Sequence, residues 1–186
     1  ELEEIILERA SSLDLSEPIR GMKQRLEDRS RGAIDIKQGP GGLSAIQFTI
    51  QYLQLRNRVP SPPLKSTTRL LGTLRMAGLL GARDHRDLLT GFRFLRELEH
   101  RLRLMHGRAV SHLPSGEALD EIAAILKPGT TGEQLMDELE HTRRRIDSVF
   151  RKIIEQSPGP GPSTDSVEKP VESSPDERST CRDSDA

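Results

Sequence analysis

The sequence predicts an all-α protein, an antiparallel bundle of about six or seven helices with a disordered C-terminal tail. Aromatic residues make up 3% of the chain and tryptophan is absent. Leucine, isoleucine, valine and methionine must therefore fill the core, a composition typical of helices. Apolar residues recur at spacings of three and four along most of the chain, which predicts amphipathic helices. Short loops separate these runs, and short loops make neighbouring helices antiparallel.

The first half of the chain predicts four helices. The first ends near Ser12, and Asp14 and Glu17 form a capping box for the second. A third helix spans about residues 43–58 and ends at prolines, and a fourth begins near Ser66. The side chains predicted to face inward are Leu2, Ile5, Ile6, Ile19, Met22, Leu26, Leu43, Ile46, Ile50 and Leu53.

The connection between the second and third helices contains a short apolar segment. Residues 33–36 read Ala-Ile-Asp-Ile, a pattern that favours an extended conformation. Because the chain offers no recognisable partner strand, we expect this segment, if it pairs at all, to pair with another domain.

The second half of the chain predicts three more helices. Asp84 caps the clearest of them, whose apolar stripe covers residues 88–105. Gly91 lies within this helix, and we expect it to let another helix approach closely, at a cost of up to about 1 kcal/mol relative to alanine. Ser115 caps a short helix, and Thr131 starts the last long one.

The composition changes at Ser157. Residues 157–186 are rich in serine, proline and acidic residues, with seven acidic against three basic side chains. Such a segment cannot bury enough apolar surface to offset its ordering entropy. We therefore expect a helical domain over residues 1–156 and a disordered acidic tail over residues 157–186. Because the chain begins at Glu1 without a methionine, we also expect it to be a segment of a longer protein that ends with this tail.

Charge and hydropathy argue against several classes of function. The net charge of −1 is not that of a general nucleic-acid binder. The sequence has no apolar run of the ~20 residues that a membrane span requires, and no signal peptide. A single cysteine, Cys181, excludes an internal disulfide and fits a reducing compartment. We expect a cytoplasmic protein with neither nucleic acid nor membrane as a partner.

A glycine-rich turn, residues 37–42, is the most informative motif of the chain. Gly39, Gly41 and Gly42 permit unusual backbone angles and the close approach of another group. The helix that follows presents free N–H groups and its positive dipole end, which suit an anion, and Lys37 adds a charge. The alternative interpretation is a helix start that packs tightly and binds nothing.

This turn also resembles the signature of a known family, the bacterial glutamine synthetase adenylyltransferases. The resemblance lies in Asp35-Ile-Lys-Gln-Gly-Pro-Gly-Gly-Leu43, in Ile46-Gln-Phe48 and in Gln51. Further blocks follow in family order: Ile19-Arg-Gly-Met-Lys23, Phe94-Leu-Arg-Glu-Leu-Glu-His-Arg-Leu102, His112-Leu-Pro114 and Val149-Phe150. Together they cover roughly residues 1–155, and several ordered blocks are more specific than one glycine-rich loop.

The resemblance implies a helical domain that follows an absent nucleotidyltransferase domain. In the family, the carboxylates that hold Mg²⁺ for transfer belong to a Gly-Ser turn and an Asp-x-Asp strand of that preceding domain. This sequence has no such element, since its one Asp-x-Asp, Asp183-Ser-Asp185, lies in the tail. We therefore expect no catalytic residue and no cofactor in this segment, with ATP and Mg²⁺ used by the parent enzyme. His100 and His106 lie six positions apart and do not share a helix face, so we expect no metal site either.

The resemblance also names candidate site residues. Those expected to face the nucleotide or the cleft are Lys37, Gly39, Gly41, Gly42, Gln47 and Gln51. Arg96, Glu99 and His100 are candidates for an interface with the turn or with the absent domain, whereas Arg143, Arg144 and Arg145 are expected to be surface residues. The chain departs from the family at Ala45 and Gln47, where the signature has an aspartate and a glutamate.

Three functions remain open from the sequence. The first is a non-catalytic domain that supports the cleft of an enzyme that adenylylates or deadenylylates glutamine synthetase. The second is a degenerate interaction module that binds a partner, such as a PII-type signalling protein, and transfers nothing. The third is a relative that acts on another target, because the uridylyltransferases of nitrogen signalling share the same two-domain layout.

Overall fold

Seven α-helices make up most of the part of the chain that the computed structural model describes, residues 2–11, 13–30, 34–60, 66–107 and 110–155. They are α1 (Leu2–Ser11), α2 (Ser16–Arg29), α3 (Leu43–Arg56), α4 (Thr67–Met76), α5 (Ala82–His106), α6 (Glu117–Leu126) and α7 (Gly132–Glu155). The predicted all-α class is therefore confirmed. The acidic tail predicted for residues 157–186 lies outside the described residues.

The two longest helices, α5 and α7, pack against each other and run antiparallel. Near one end of the pair, the Lys152 ammonium lies 2.8 Å from the Asp84 carboxylate. Further along, a Cβ atom added to Gly91 would lie 2.7 Å from Cδ1 of Ile146, so the glycine permits the close helix approach that its position predicted. Fully buried side chains on these two helices include Leu88, Leu95, Leu98, Leu102, Leu139 and Ile146.

The helices begin close to the predicted positions, but the predicted capping residue is not always the one observed. At Thr131 the predicted start is confirmed, because its hydroxyl accepts the Gln134 N–H and the Gln134 side chain accepts the Thr131 N–H. Asp84 is not the cap of α5: the helix begins two residues earlier, and Gly81 occupies the N-cap position. Asp14 accepts hydrogen bonds from the N–H and hydroxyl of Ser16, where α2 begins.

On the first two helices, three of the side chains predicted to face inward are exposed. Ile5 and Ile6 of α1 are 54% and 51% exposed, whereas Leu7 is buried. On α2, Met22 is 49% exposed and its neighbour Lys23 is buried instead. The physical reason is that α1 packs against α3 and that α2 meets α7 through an ion pair, in which the Lys23 ammonium lies 2.8 Å from the Asp147 carboxylate.

The predicted extended segment pairs within this chain, so the expectation of a partner in another domain is wrong. Asp35 forms an antiparallel bridge with His112, in the loop that joins α5 to α6. The Ile36 N–H donates to the Ser111 carbonyl at 2.9 Å, and the Leu113 N–H donates to the Ile34 carbonyl at 3.0 Å. A bridge this short produces no periodic pattern in the sequence. The two segments meet because the chain after α5 lies beside the segment that precedes α3.

Candidate functional site

The backbone of the glycine-rich turn is closed by hydrogen bonds within the chain. The N–H groups of Leu43, Ser44 and Ala45, the first three of α3, donate to carbonyls of residues 36, 37 and 42 at 3.0–3.1 Å. The prediction of free N–H groups at this helix start is therefore wrong for these three residues. An anion at the turn would have to be held by side chains rather than by the helix terminus.

A buried carboxylate shapes the turn from inside. Asp35 is 4% exposed, and its Oδ1 accepts the N–H groups of Lys37 at 2.7 Å and Gln38 at 3.0 Å. Its Oδ2 lies 3.6 Å from Nε2 of His112. Sequence reasoning did not select Asp35 as a site residue, although an aspartate just before a glycine-rich turn is the usual signal for such side-chain-to-backbone bonds.

The turn packs directly on the backbone of α7. Gly41 has φ = +62°, and a Cβ atom at this position would lie 2.1 Å from the carbonyl oxygen of Arg143. At Gly39 an added Cβ would lie 2.4 Å from the carbonyl oxygen of Asp35, and at Gly42 it would lie 2.8 Å from that of Lys37. All three glycines are buried. The inner side of the turn is thus filled by the chain itself.

Arg143 holds the other side of this junction, although the sequence predicted a surface residue. Its Nε donates to the carbonyl of Pro40 at 2.5 Å. Burial lowers the pKa of the guanidinium, and the charge of Asp35 gives the largest opposing effect. A guanidinium titrates so far above neutrality that Arg143 stays charged and provides a fixed positive end to the turn. Beside it lies a groove of about 340 Å³, whose lining includes Pro40, Met136 and Glu140.

The two family carboxylate positions lie in different environments. Ala45 is 2% exposed within the core, whereas Gln47 is exposed on the opposite face of α3. Gln51 is also exposed and lies one turn further along the helix. Of the candidates on α3, the two glutamines are therefore accessible to a partner and Ala45 is not.

Lys37 reaches the predicted interface residues on α5 through one carboxylate. Glu99, only 8% exposed at its side chain, has its Oε1 3.6 Å from Nζ of Lys37 and 4.0 Å from Nη2 of Arg103, while Arg96 pairs with Oε2. We call these four residues the Glu99 cluster. The expected contact between this block and the turn is present, and His100 lies exposed beside it.

Two further features of the described residues concern metal binding and membrane insertion. Among the residues that the structure describes, no three histidine, cysteine, aspartate or glutamate side chains are grouped so that they could hold a metal ion. Over the same residues, no helix combines the length and apolar character of a membrane span.

Comparison with known proteins identifies the family to which the chain belongs. Residues 16–154, which run from the first residue of α2 almost to the end of α7, match the family model described as GlnD PII-uridylyltransferase. The chain belongs to this family. Its similar relatives include proteins named bifunctional glutamine synthetase adenylyltransferase/adenylyl-removing enzyme, so the resemblance seen in the sequence is confirmed.

The relatives are much longer than the chain. The protein from Xanthomonas oryzae pv. oryzae is 34% identical over 123 residues, which are 64% of this chain and 13% of the relative. Its Pseudomonas putida counterpart is 33% identical over 149 residues, 76% of this chain and 15% of the relative. The Mycobacterium tuberculosis protein is 28% identical over 151 residues, which are 74% of this chain and 15% of the relative. The chain thus spans only about 13–15% of the length of these relatives.

Proposed function

We propose that the chain is a non-catalytic helical domain of a nucleotidyltransferase that adenylylates or deadenylylates glutamine synthetase. The observation that carries this proposal is the family match over residues 16–154, nearly the whole helical body, together with relatives named for this activity. Because the chain corresponds to 13–15% of those relatives, the proposal assigns ATP, Mg²⁺ and the transfer step to an adjacent nucleotidyltransferase domain.

The geometry supports different roles for the two sides of the turn, packing on the inner side and contact with a partner on the outer side. On the inner side, Gly39 and Gly41 lie against Arg143 of α7, and Gly42 packs within the turn. On the outer side, Lys37, Gln47 and Gln51 are exposed. We propose that this outer side, with Arg96 and His100, faces the adjacent domain and shapes its cleft. Glutamine synthetase and a PII-type protein are the proposed partners, the proposed location is cytoplasmic, and neither nucleic acid nor a membrane takes part.

A chimera tests this proposal. The matching segment of the Pseudomonas putida relative is replaced by the 186-residue chain, and transfer of labelled AMP from ATP to glutamine synthetase is measured. We expect the chimera to transfer AMP and the chain alone to transfer none. A chimera with Leu98→Asp, which places a carboxylate at a fully buried position, should lose activity, whereas Arg86→Asp at an exposed position should keep it.

Two results would contradict the proposal. Transfer by the chain alone would refute the non-catalytic role. A chimera that folds, by circular dichroism, yet transfers nothing while the intact relative is active would refute the supporting role. Labelled UTP with a PII-type protein as acceptor, tested with the full-length protein that contains this chain, separates adenylyl from uridylyl transfer, the reaction in the description of the matched family model.

A degenerate interaction module is the second candidate, and one observation favours it. Ala45 stands at 2% exposure where the family signature has a carboxylate, so whatever that charge does is lost here. This candidate predicts that the chimera folds without activity and that the chain alone binds glutamine synthetase or a PII-type protein in a pull-down with the purified partner.

A further inference from the structure

The first turns of α5 and the last turns of α7 meet at one end of the helix pair, and this end carries a surplus of positive charge. Residues 143–155 of α7 contain five cations and two carboxylates, and residues 82–87 of α5 contain two of each. The formal charge of this end is therefore +3, although the net charge of the whole chain is −1.

The cations at this end lie further out than the carboxylates with which they pair. Nζ of Lys152 lies 2.8 Å from the Asp84 carboxylate. Arg83 and Arg145 each have a nitrogen 3.9 Å from a carboxylate oxygen of Asp87. The two aspartate side chains are 13% and 15% exposed, whereas the three cations are 92%, 46% and 50% exposed in chain order. We call Arg83, Arg145 and Lys152 the cationic rim.

The segment that follows α7 in the chain contains a stretch of the opposite charge. Residues 165–177 have five carboxylates and one cation, a formal charge of −4. Asp165 follows Glu155, the last residue of α7, by ten positions, a length of chain that spans at most about 35 Å. Along α7, Arg145 lies ten residues before Glu155, which is about 15 Å. The acidic stretch can therefore reach the whole rim.

The residues between α7 and the acidic stretch favour a reversal of the chain. Residues 158–162 read Pro-Gly-Pro-Gly-Pro. Proline cannot continue a helix, and proline and glycine are the residues most typical of turns. A reversal at this place directs residues 165–177 back along α7, past Lys152 and towards Arg145.

We propose that residues 165–177 bind the cationic rim of the same chain. The stretch is covalently attached next to the rim, so the contact forms at a high effective concentration and requires little intrinsic affinity. It is electrostatic, because carboxylates of the stretch meet cations whose existing partners lie beneath them. In the bound state the stretch keeps other acidic chains away from this end of the helix pair. The inference does not rest on the proposed transferase role.

A spin label on the chain's one cysteine tests the contact. Cys181 lies four residues after Glu177, so a nitroxide attached there reports where the acidic stretch is. Amide signals of the ¹⁵N-labelled 186-residue chain are compared at low ionic strength with the nitroxide oxidised and reduced. We expect selective loss of intensity at residues 83–87 and 145–152. The intensity should return in about 1 M salt, where the Debye length is about 3 Å.

A charge reversal on the rim and a matched control locate the contact. Arg83→Glu should reduce the intensity loss at residues 145–152 by about twofold or more, because it replaces an attraction by a repulsion. Lys127→Glu changes the net charge equally and should have no effect. Lys127 is exposed and lines the same small cavity as Leu135, which lies about 15 Å from Arg145 along α7.

A variant of the acidic stretch leaves the helical domain unchanged. Glu168→Gln combined with Glu172→Gln removes two negative charges and alters none of the residues that form the helices. We expect the intensity loss at the rim to fall by about twofold or more, because half of the formal charge of the stretch is gone. This variant tests the contact even if Arg83→Glu disturbs the fold, which circular dichroism would show.

Four results would overturn the proposal. The first is no intensity loss, or equal loss over the whole domain. The second is a loss centred on the Glu99 cluster instead of the rim. The third is an equal effect of Lys127→Glu and Arg83→Glu, which would indicate a general attraction without a site. The fourth is a loss seen only when spin-labelled chains without ¹⁵N are mixed with ¹⁵N-labelled chains, which would assign the contact to two copies. None of these measurements uses a catalytic domain or glutamine synthetase, so their outcome is separate from that of the chimera.

Discussion

On its inner side the glycine-rich turn contacts the backbone of α7, and on its outer side it presents Lys37 to the charged side chains of α5. The inner side has no spare volume, since an added Cβ at Gly41 would lie 2.1 Å from a carbonyl oxygen. The outer side consists of half-exposed cations around the buried Glu99. The difference shows that a glycine-rich motif can serve packing on one side while it positions charged side chains on the other.

The largest effect should come from a side chain on the inner side. We expect Gly41→Ala to lower the free energy of unfolding by about 3 kcal/mol or more, because it combines an unfavourable positive φ with a backbone clash. Gly78→Ala is the control: its φ is +74° but nothing lies within 4 Å of the added Cβ, so it should cost only about 1–2 kcal/mol. Urea unfolding followed by circular dichroism measures both, and equal losses would contradict the tight junction with α7.

A second test compares two positions of α3 that are two residues apart and lie on opposite faces of the helix. Ala45→Asp should destabilise the domain by about 3 kcal/mol, because it places a carboxylate at a position that is 2% exposed. Gln47→Glu, at an exposed position, should change stability by less than about 0.5 kcal/mol. Scanning calorimetry gives both values. If Ala45→Asp is tolerated as well as Gln47→Glu, the core offers a partner for the family carboxylate and the contrast between the faces does not hold.

The smallest effect is expected on the outer side. Glu99→Ala should cost about 1–2 kcal/mol at low salt, because three cations lose their shared partner, and added salt should restore part of this by screening their repulsion. Glu97→Ala, whose side chain is 55% exposed in its pair with Arg101, should cost no more than about 0.5 kcal/mol at any salt concentration. Melting temperatures at low and high salt test this; a loss at Glu99 that salt does not reduce would mean that packing, not charge, sets its role.

The fold was largely predictable because helical periodicity is a local property. The apolar stripes of α3, α5 and α7 indicated the buried residues correctly at Ile46, Leu95 and Ile146. The predicted inward face was wrong where contacts with a residue distant in sequence decide which side of the helix is buried. At α2 the buried residue is Lys23, whose partner Asp147 lies 124 positions away, and no local pattern shows such a pair.

The candidate site was predictable in part for the same reason. The contact between the turn and the Arg96–Glu99 block followed from two motifs that were both recognisable in the sequence. Arg143 was missed as a site residue because three consecutive arginines are typical of a solvated surface. Only the packing of α7 against the turn makes one of them half-buried there. Whether the turn and the two glutamines of α3 face a catalytic cleft stays a prediction.

The hydrogen bond from Arg143 to Pro40 joins residues 103 positions apart. Its consequence is that the turn cannot be transferred to another protein with its conformation intact. The turn and α3 form a continuous segment, yet the atoms that close its inner side come from α7 and from the loop before α6. A peptide of residues 34–56, or a graft of that segment onto another scaffold, would carry the motif without the surfaces that give the motif its shape. The smallest unit that holds the turn in this conformation therefore extends from the turn to α7.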